Sequence, residues 1–412
     1  MIPTPEKRVA DFEKLGFGMF VHWGLYSQLG MGEWTFDAHH RTMDEYQKLA
    51  DTFTAEDFNA EELVLTAKNA GCKYITLTTR HHEGFSLFDT KGLCDFDAPH
   101  SAAKRDLIRE FVDACNKHGI IPFFYHTTLD WYQKDFNEDF DSYLEYLRKS
   151  VEVLCSNYGK IGGLWFDGNW SRADADWKED ALYATIRKHQ PDAIIINNTG
   201  LECRGATGNP EIDSVTFEQG RPTPMEREGM PKYLAGEMCY TLNNHWGIGF
   251  NDLDYKSPRE LIETLCACRR VGANLLLNIG PTAQGGIVPI QRELLGMMGR
   301  WMDFYGEAIY QGKPHPATCV EPKNFVLKSE NALYFFVHNL GIGGSANVVV
   351  NAGGDTNFTF NGVTESVESM EWMDNGEVMG FRQDGNKLTL DATNFCYGTH
   401  TCVRVAKAII RK

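Results

Sequence analysis

The chain has 412 residues, which is longer than most single domains and predicts one large domain followed by a smaller one. Its composition, 42% hydrophobic and 23% charged, is that of a soluble globular protein. A formal net charge of −16 argues against nucleic acid and anionic membrane surfaces as partners, whereas a neutral ligand such as a sugar is compatible with it.

Targeting signals and cysteine use predict a cytoplasmic protein. The first residues, M-I-P-T-P-E-K-R-V-A-D-F, contain no apolar segment of the signal-peptide kind, and no apolar run is long enough to span a membrane. The 11 cysteines form no C-x-x-C pair, so neither a zinc site nor a dithiol redox site is indicated. We therefore expect reduced thiols and a cytoplasmic location, with a trimmed secreted form as the alternative.

Short apolar runs alternate with helical patterns from about residue 16 onwards. The predicted strands are 17–23, 73–79, 120–126, 161–167, 193–197 and 274–279. The predicted helices are 56–70, 106–117, 140–158, 177–189, 258–271 and 290–305. The stretch 199–235 is rich in Gly, Pro and charge and is predicted to be a long loop.

Repeated β-α units with polar residues at the strand ends predict an α/β fold, a (β/α)8-like (TIM-type) barrel spanning residues 1–313. The alternative is an open doubly wound sheet, but no G-x-G-x-x-G follows the first strand. After residue 314 the pattern changes to short strand-like runs at 325–327, 332–338, 347–350, 357–360 and 387–390, separated by Gly and Asn turns. Residues 314–412 are therefore predicted to form a C-terminal antiparallel β-sandwich.

Polar and aromatic side chains cluster at the ends of the first four predicted strands and in the adjoining loops. They are His22, Glu33, Trp34, His81, His82, Tyr125, His126, Trp165 and Asp167. Each alone has an ordinary explanation as a core or surface residue. Together they suit a sugar, because aromatic rings stack on C–H faces while His and carboxylate groups bond hydroxyls.

A metal site is the alternative use of His22, His81, His82 and His126. No H-x-H pair is present, and the adjacent His81 and His82 point to opposite sides if the strand continues through them. We therefore expect no metal and no organic cofactor.

Glycoside cleavage usually needs two carboxyl groups, one that attacks or activates water and one that protonates the leaving oxygen. Asp167 ends a short apolar strand in L-W-F-D-G and is the first candidate, although an Asp there can also simply cap the next helix. The second is Glu218 in T-F-E-Q or Glu237 in A-G-E-M-C. Both catalytic roles stay open at this point.

The chain resembles glycoside hydrolase family 29, the α-L-fucosidases, over nearly its whole length. The matching blocks are F-G-M-F-V-H-W-G-L-Y-S, G-E-W, R-H-H-E-G-F, L-W-F-D-G, A-G-E-M-C-Y-T-L-N-N-H-W-G and G-A-N-L-L-L-N-I-G-P-T-A-Q-G, in the family's order. The last block is the most specific. Any one block alone would not identify the family.

The resemblance implies a retaining, two-step exo-α-L-fucosidase in which Asp167 forms a covalent fucosyl-enzyme. It favours Glu218 as the acid/base, because T-F-E resembles the family's T-P-E segment, with Glu237 second. It implies fucose contacts from His22, Trp34, His81, His82, Tyr125 and Trp165, and Glu33, His126 and Trp246 are further candidate contacts. The sugar-binding Arg of many members is missing after the fifth strand, and Arg204 and Arg221 are the candidates to replace it.

Two other functions compete with this one. The first is a catalytically silent fucose-binding protein on the same scaffold, and the second is a metal-dependent hydrolase that uses the His cluster. The expected partner is a fucosylated oligosaccharide, with no nucleic acid and no membrane, and a homo-oligomer is possible. The C-terminal sandwich is expected to be a structural support or an accessory sugar-binding module.

Overall fold

The computed structural model describes residues 1–199, 201, 203–354 and 356–411. The chain divides into two compact units. The first comprises Met1–Lys256 and Asn274–Gly296, and the second comprises Ser257–Ala273 and Met297–Lys412. The domain limits predicted from the sequence, 1–313 and 314–412, stay a prediction.

The first unit contains a closed barrel of eight parallel strands in sequence order, in which the last strand pairs with the first. The strands are β1 Phe17–Val21, β2 Tyr74–Arg80, β3 Ile121–Thr127, β4 Gly163–Asp167, β5 Ile194–Asn197, β6 Ser214–Glu218, β7 Ala235–Thr241 and β8 Asn274–Ile279. Nearly all of their residues are buried, as expected for parallel strands covered on both faces. This confirms the predicted (β/α)8-like barrel.

Helices connect the strands and also continue into the second unit. They are α1 Lys7–Leu15, α2 Thr35–Ala38, α3 Met43–Tyr46, α4 Ala60–Asn69, α5 Leu107–His118, α6 Asp135–Glu138, α7 Phe140–Asn157, α8 Glu179–His189, α9 Pro258–Arg270 and α10 Pro289–Gln311. Side-chain caps set several starts: Asp106 accepts from the Arg109 amide, and Ser257 accepts from the Glu260 amide.

The lower end of the barrel is filled by aromatic packing. Phe12 of α1 lies 5.7 Å from the ring of Tyr74 and 5.8 Å from that of Phe123. This core continues upwards to Tyr125 and Trp165. The barrel interior is therefore closed below, and its open end is the one formed by the carboxyl ends of the strands.

The prediction of one long loop over 199–235 was wrong, because β6 crosses it at Ser214–Glu218 and β7 begins at Ala235. The segment S-V-T-F-E is short and lies among Gly- and Pro-rich residues, which hid it. Its pairing with β7 and with Ile196 of β5 completes the barrel.

The second unit contains two antiparallel sheets, in the strand orders β10-β13-β16-β15 and β14-β17-β12-β11-β9. The strands are β9 Lys313–Pro314, β10 Thr318–Cys319, β11 Phe325–Lys328, β12 Ala332–His338, β13 Asn357–Asn361, β14 Val367–Trp372, β15 Gly380–Asp384, β16 Lys387–Asp391 and β17 Val403–Ile410. Both sheets contribute to one apolar core, which includes Phe335, Phe360, Trp372 and Leu390. The predicted antiparallel sandwich is confirmed.

One predicted strand of the sandwich is wrong. Residues 347–350, N-V-V-V, form a turn in which the Ser345 carbonyl accepts from the amides of Val348 and Val349, at 2.9 Å each. β14, β15 and β17 were not predicted. The β-branched composition of a segment therefore did not predict these strands correctly, because pairing with distant strands determines them.

No helix among the described residues is long and apolar enough to cross a membrane. All 11 cysteines are free thiols, and most of them are buried or half-buried.

Candidate active site

A cavity of about 280 Å³ opens at the carboxyl end of the barrel. Its lining is strongly aromatic and contains two carboxylates. The lining residues are Phe20, His22, Trp34, His81, His82, Tyr125, Trp165, Asp167, Trp170, Asn198, Leu201, Glu218, Cys239 and Trp246. Nine of the residues predicted from the sequence are therefore brought together here: His22, Trp34, His81, His82, Tyr125, Trp165, Asp167, Glu218 and Trp246.

Asp167 is the last residue of β4, and three side chains donate hydrogen bonds to its carboxylate. The Tyr125 hydroxyl donates to Oδ2 at 3.1 Å, while Trp170 Nε1 and Asn198 Nδ2 donate to Oδ1 at 2.9 and 3.2 Å. Such a set of donors holds the carboxylate in one orientation. Asp167 therefore acts as more than a helix cap.

The turn after Asp167 requires a glycine. Gly168 has a φ of 121°, and a Cβ there would run into the backbone nitrogen of Leu129. The Asp167 carbonyl accepts from the Thr128 amide at 2.7 Å. The L-W-F-D-G motif therefore corresponds to a tight turn that holds Asp167 close to the end of β3.

Glu218 is the last residue of β6 and faces Asp167 across Asn198. Asn198 Nδ2 donates to Glu218 Oε2 at 2.6 Å and to Asp167 Oδ1 at 3.2 Å. Burial, together with the negative charge of Asp167, raises the pKa of Glu218 to about 7. One amide group thus connects an ionised carboxylate with a carboxyl group that holds its proton near neutral pH.

Glu237 lies one layer deeper, because the β6–β7 register pairs it with Thr216 while Glu218 pairs with Cys239. It is 1% exposed and does not line the cavity. The Tyr74 hydroxyl and Trp165 Nε1 donate to its two oxygens, the latter at 3.0 Å. Burial raises its pKa to about 7, so a shifted pKa alone does not separate Glu218 from Glu237.

Three rings form a continuous stack along one wall of the cavity. The His81 ring lies 5.5 Å from that of Tyr125 with an interplanar angle of 11°, and Tyr125 lies 5.8 Å from Trp165 at 20°. Trp34 and Trp170 stack 5.7 Å apart on the rim. These faces can pack against the apolar C–H side of a sugar ring.

The pocket histidines are neutral. Burial lowers the pKa of His22 to about 3 and that of His82 to about 4, and it lowers the pKa of His81 as well. Nδ1 of His22 bonds Asn278 Oδ1 at 2.7 Å, and Nδ1 of His82 bonds Thr127 Oγ1 at 2.6 Å. These side chains therefore offer hydrogen bonds without carrying charge.

The remaining predicted residues lie outside the cavity lining. Glu33 is behind the wall, where its Oε2 accepts from the amides of Trp246 and Gly247 at 3.2 and 2.8 Å. His126 bonds only Thr79 and Ser150 among the described residues, in the packing between β3 and its neighbours. Arg204 donates from Nε to the Glu218 carbonyl at 2.8 Å and is exposed, as is Arg221.

Two polar contacts of Asp167 were not predicted. Asn198 directly follows β5, and its place after a strand end was the available signal. Trp170 lies in the 3-10 turn Asn169–Arg172 after β4, where no periodic pattern marks it. Phe20, Leu201 and Cys239 complete the unpredicted lining.

Within the described ranges, no three His, Cys, Asp or Glu side chains are arranged to hold a metal ion. His22, His81 and His82 do converge, but Nδ1 of His22 and of His82 is already bonded to protein groups.

The chain is similar in sequence and in fold to known proteins. The family model described as Alpha-L-fucosidase matches residues 4–307. The tissue alpha-L-fucosidase of Mus musculus is 31% identical over 74% of this chain and 71% of its own length. The structure of alpha-L-fucosidase isoenzyme 1 from Paenibacillus thiaminolyticus is similar, with a TM-score of 0.84, 28% identity and coverage of 98% of this chain and 99% of that one.

A second solved structure is the Thermotoga maritima alpha-fucosidase in complex with a mechanism-based inhibitor. Its TM-score is 0.75 at 26% identity, and the match covers 96% of each chain. Both bacterial matches extend across the barrel and the sandwich.

Proposed function

The chain belongs to the α-L-fucosidase family of glycoside hydrolases, and we propose that it is a retaining exo-enzyme that releases terminal α-L-fucose through a covalent fucosyl-enzyme. Asp167 is the proposed nucleophile and Glu218 the proposed acid/base. The proposed substrate is a fucosylated oligosaccharide or glycoconjugate.

The spacing of the two carboxyl groups carries this proposal. Because Asn198 Nδ2 lies 3.2 Å from Asp167 Oδ1 and 2.6 Å from Glu218 Oε2, these oxygens are at most about 5.8 Å apart, the sum of the two distances. Retaining glycosidases place their carboxyl groups about 5–5.5 Å apart, whereas inverting enzymes need about 6.5–9.5 Å to admit a water. The spacing supports double displacement.

In the first step an Asp167 oxygen bonds the anomeric carbon while the glycosidic C–O bond breaks, and Glu218 gives its proton to the leaving oxygen. In the second step Glu218 takes a proton from water, whose oxygen displaces Asp167 and regenerates the carboxylate. Atoms and charge balance over the cycle. Tyr125, Trp170 and Asn198 orient the nucleophile throughout.

The charge of Asp167 couples the two roles of Glu218. In the free enzyme that charge helps to raise the pKa of Glu218, which favours the protonated acid. Once Asp167 is esterified its charge is gone, so the pKa of Glu218 falls and the group becomes a base. This alternation is what a double displacement requires of its second carboxyl group.

Shape and lining support action on a terminal sugar. A cavity of about 280 Å³ is at the lower end of small-ligand pockets and suits a single sugar ring. The stack of His81, Tyr125 and Trp165 provides an apolar wall for one face of that ring. The Thermotoga maritima relative has been solved with a mechanism-based inhibitor, which agrees with covalent chemistry in this family.

Azide rescue tests the two roles. Asp167→Ala should lose turnover of an aryl α-L-fucoside, and azide should restore it with β-fucosyl azide as the product. Glu218→Ala with azide should give α-fucosyl azide, while Glu237→Ala, the matched buried carboxyl group, should give none. A fully active Asp167→Ala, or an inactive wild type that still binds fucose, would defeat the proposal and favour the silent binding protein.

A further inference from the structure

The block G-A-N-L-L-L-N-I-G-P contains Asn278, the penultimate residue of β8, which does not line the cavity. Asn278 Nδ2 donates to the Trp246 carbonyl at 2.7 Å. Because a carbonyl can only accept, the amide nitrogen must lie on that side and Oδ1 must face His22. Oδ1 lies 2.7 Å from His22 Nδ1 and can only accept, so Nδ1 carries the hydrogen.

Thr127 at the end of β3 imposes the same state on His82. Its hydroxyl donates to the Leu129 carbonyl, so its single hydrogen is committed. Thr127 Oγ1 therefore accepts the bond of 2.6 Å from His82 Nδ1. Nδ1 of His82 is the protonated nitrogen, and Nε2 faces the cavity side, 3.6 Å from Asp167 Oδ2.

His126 provides an internal model of the completed arrangement. Thr79 donates to the Tyr125 carbonyl at 2.7 Å and accepts from His126 Nδ1 at 2.8 Å. Arg80 donates to the Ser150 hydroxyl oxygen at 3.4 Å, so that hydroxyl directs its own hydrogen to His126 Nε2 at 3.1 Å. Here a protein hydroxyl donates to Nε2. In His22 and His82 the protein bonds described above are made by Nδ1 instead.

His82 Nε2 and Asp167 Oδ2 face each other as two acceptors. Since the imidazole is neutral, each presents a lone pair across 3.6 Å. The Tyr125 hydroxyl already donates to Asp167 Oδ2 at 3.1 Å, whereas His82 Nε2 still needs a donor placed between the two atoms. A sugar hydroxyl bound next to the nucleophile is such a donor.

We propose that Asn278 and Thr127 are positioning residues that hold His22 and His82 as Nδ1–H tautomers, so that the pocket presents two bare Nε2 acceptors to hydroxyl groups of the sugar. The identity of that sugar rests on the proposed function, whereas the tautomers do not. The site thus selects ligands that donate hydrogen bonds at two positions.

The tautomers can be read directly by long-range ¹H–¹⁵N NMR on full-length protein labelled with ¹⁵N-histidine, with His22→Gln and His82→Gln for assignment. Both residues should show a protonated Nδ1 and a bare Nε2 at pH 7. A hydrogen on Nε2 of either residue in the wild type overturns the proposal without any further variant.

Thr127→Val and Thr127→Ser form the matched pair. Valine keeps the shape but cannot accept, so His82 should lose the pure Nδ1–H state and kcat/KM for an aryl α-L-fucoside should fall about tenfold, the cost of one hydrogen bond. Serine keeps the hydroxyl and should restore the tautomer and most of kcat/KM. An unchanged His82 tautomer in Thr127→Val contradicts the role of Thr127.

Substrates with one ring hydroxyl at a time replaced by hydrogen complete the test. Removal of the hydroxyl that donates to His82 should reduce wild-type kcat/KM but should have little further effect in Thr127→Val, since coupled groups do not add. Full additivity at every position would refute the link to sugar hydroxyls. If the tautomers are as expected but no fucoside is hydrolysed, the proposed function fails while the tautomer assignment stands.

Discussion

The interiors of the barrel and of the sandwich contrast in what they bury. The barrel encloses Glu237, Tyr74 and three histidines, and the charge of Asp167 lies at its mouth. The sandwich core consists of apolar side chains such as Phe335, Phe360 and Leu390. Burying a polar group costs free energy unless it is bonded. The barrel bears that cost in and beneath its cavity, whereas the sandwich core is built from apolar side chains.

The second unit also buries a charge, Arg404, but this charge is paired. Arg404 is 1% exposed, and its Nε donates to both oxygens of Asp374 at 2.9 and 3.2 Å. Its guanidinium also lies 4.2 Å from the centre of the Trp372 ring. This charge is fully paired, whereas the barrel leaves acceptors open toward its cavity.

The largest expected effect separates the two carboxyl groups of similar pKa in the barrel. Glu218→Gln should lower kcat/KM for fucosides with poor leaving groups about 10²- to 10⁴-fold, because their departure needs an acid, and much less for nitrophenyl fucosides. Glu237→Gln should leave the dependence on leaving group unchanged. A series of aryl fucosides of graded leaving-group pKa measures this.

The pH profile gives the same distinction. Wild-type kcat/KM should fall as the pH rises through about 7, because Glu218 then loses the proton it must donate. That limb should vanish in Glu218→Gln and persist in Glu237→Gln. Its persistence in Glu218→Gln would assign the acid elsewhere.

The sandwich core should respond in stability alone. Phe335 is fully buried and lies 5.0 Å from the Phe360 ring, so Phe335→Ala should cost about 3–5 kcal/mol in the free energy of unfolding. The exposed Val378 offers the control, since Val378→Ala should change it by less than about 0.5 kcal/mol. Denaturant titration measures both, and kcat/KM of the folded variants should match wild type.

Glu237 should make the stability of the protein depend on pH. Burial raises its pKa from 4.5 to about 7, so the folded state holds a proton that the unfolded state loses above pH 4.5. Its contribution to the free energy of unfolding is fully present below pH 4.5 and decreases as the pH rises to about 7. The total loss is up to about 3 kcal/mol. Unfolding of wild type and Glu237→Gln across this range should give diverging slopes, and parallel curves would contradict the assignment.

The smallest effect concerns one hydrogen bond to the nucleophile. Tyr125→Phe removes the donor 3.1 Å from Asp167 Oδ2 and should lower kcat/KM about tenfold. Tyr158 is a matched control, because its hydroxyl donates to Asp106 Oδ2 at 2.7 Å away from the cavity lining. Tyr158→Phe should leave kcat/KM unchanged, and steady-state kinetics decides between the two.

Much of the barrel could be predicted because its strands are buried on both faces and read as apolar runs. β6 and β7 could not, because S-V-T-F-E and A-G-E-M-C-Y-T contain polar residues, with a Gly in the second, and pair only when the barrel closes. In the sandwich, β14 has an irregular pattern of buried and exposed residues and β15 has no buried residue, so pairing rather than composition defines them.

The site was predictable to the extent that it lies at strand ends. Residue type could not rank Glu218 above Glu237, because their difference in depth follows from the register of β6 and β7. His126 was predicted to contact the substrate from a strand end and Glu33 from an adjoining loop, yet the structure places both behind the lining. His126 is the penultimate residue of β3 and Glu33 lies in the loop after β1, so contacts distant in sequence decide where their side chains lie.

The hydrogen bond between His22 and Asn278 joins groups 256 residues apart in the chain, at the first and the last strand of the barrel. During synthesis the N-terminal segments emerge first. The hydrogen bond of His22 therefore cannot form until nearly the whole barrel has been synthesised. A ribosome-bound chain that ends before β8 therefore holds every proposed catalytic carboxyl group and still lacks a finished pocket. The ability to bind the sugar should appear in a single step, when β8 joins the barrel. Ligand binding would then be a sensitive reporter of completed folding.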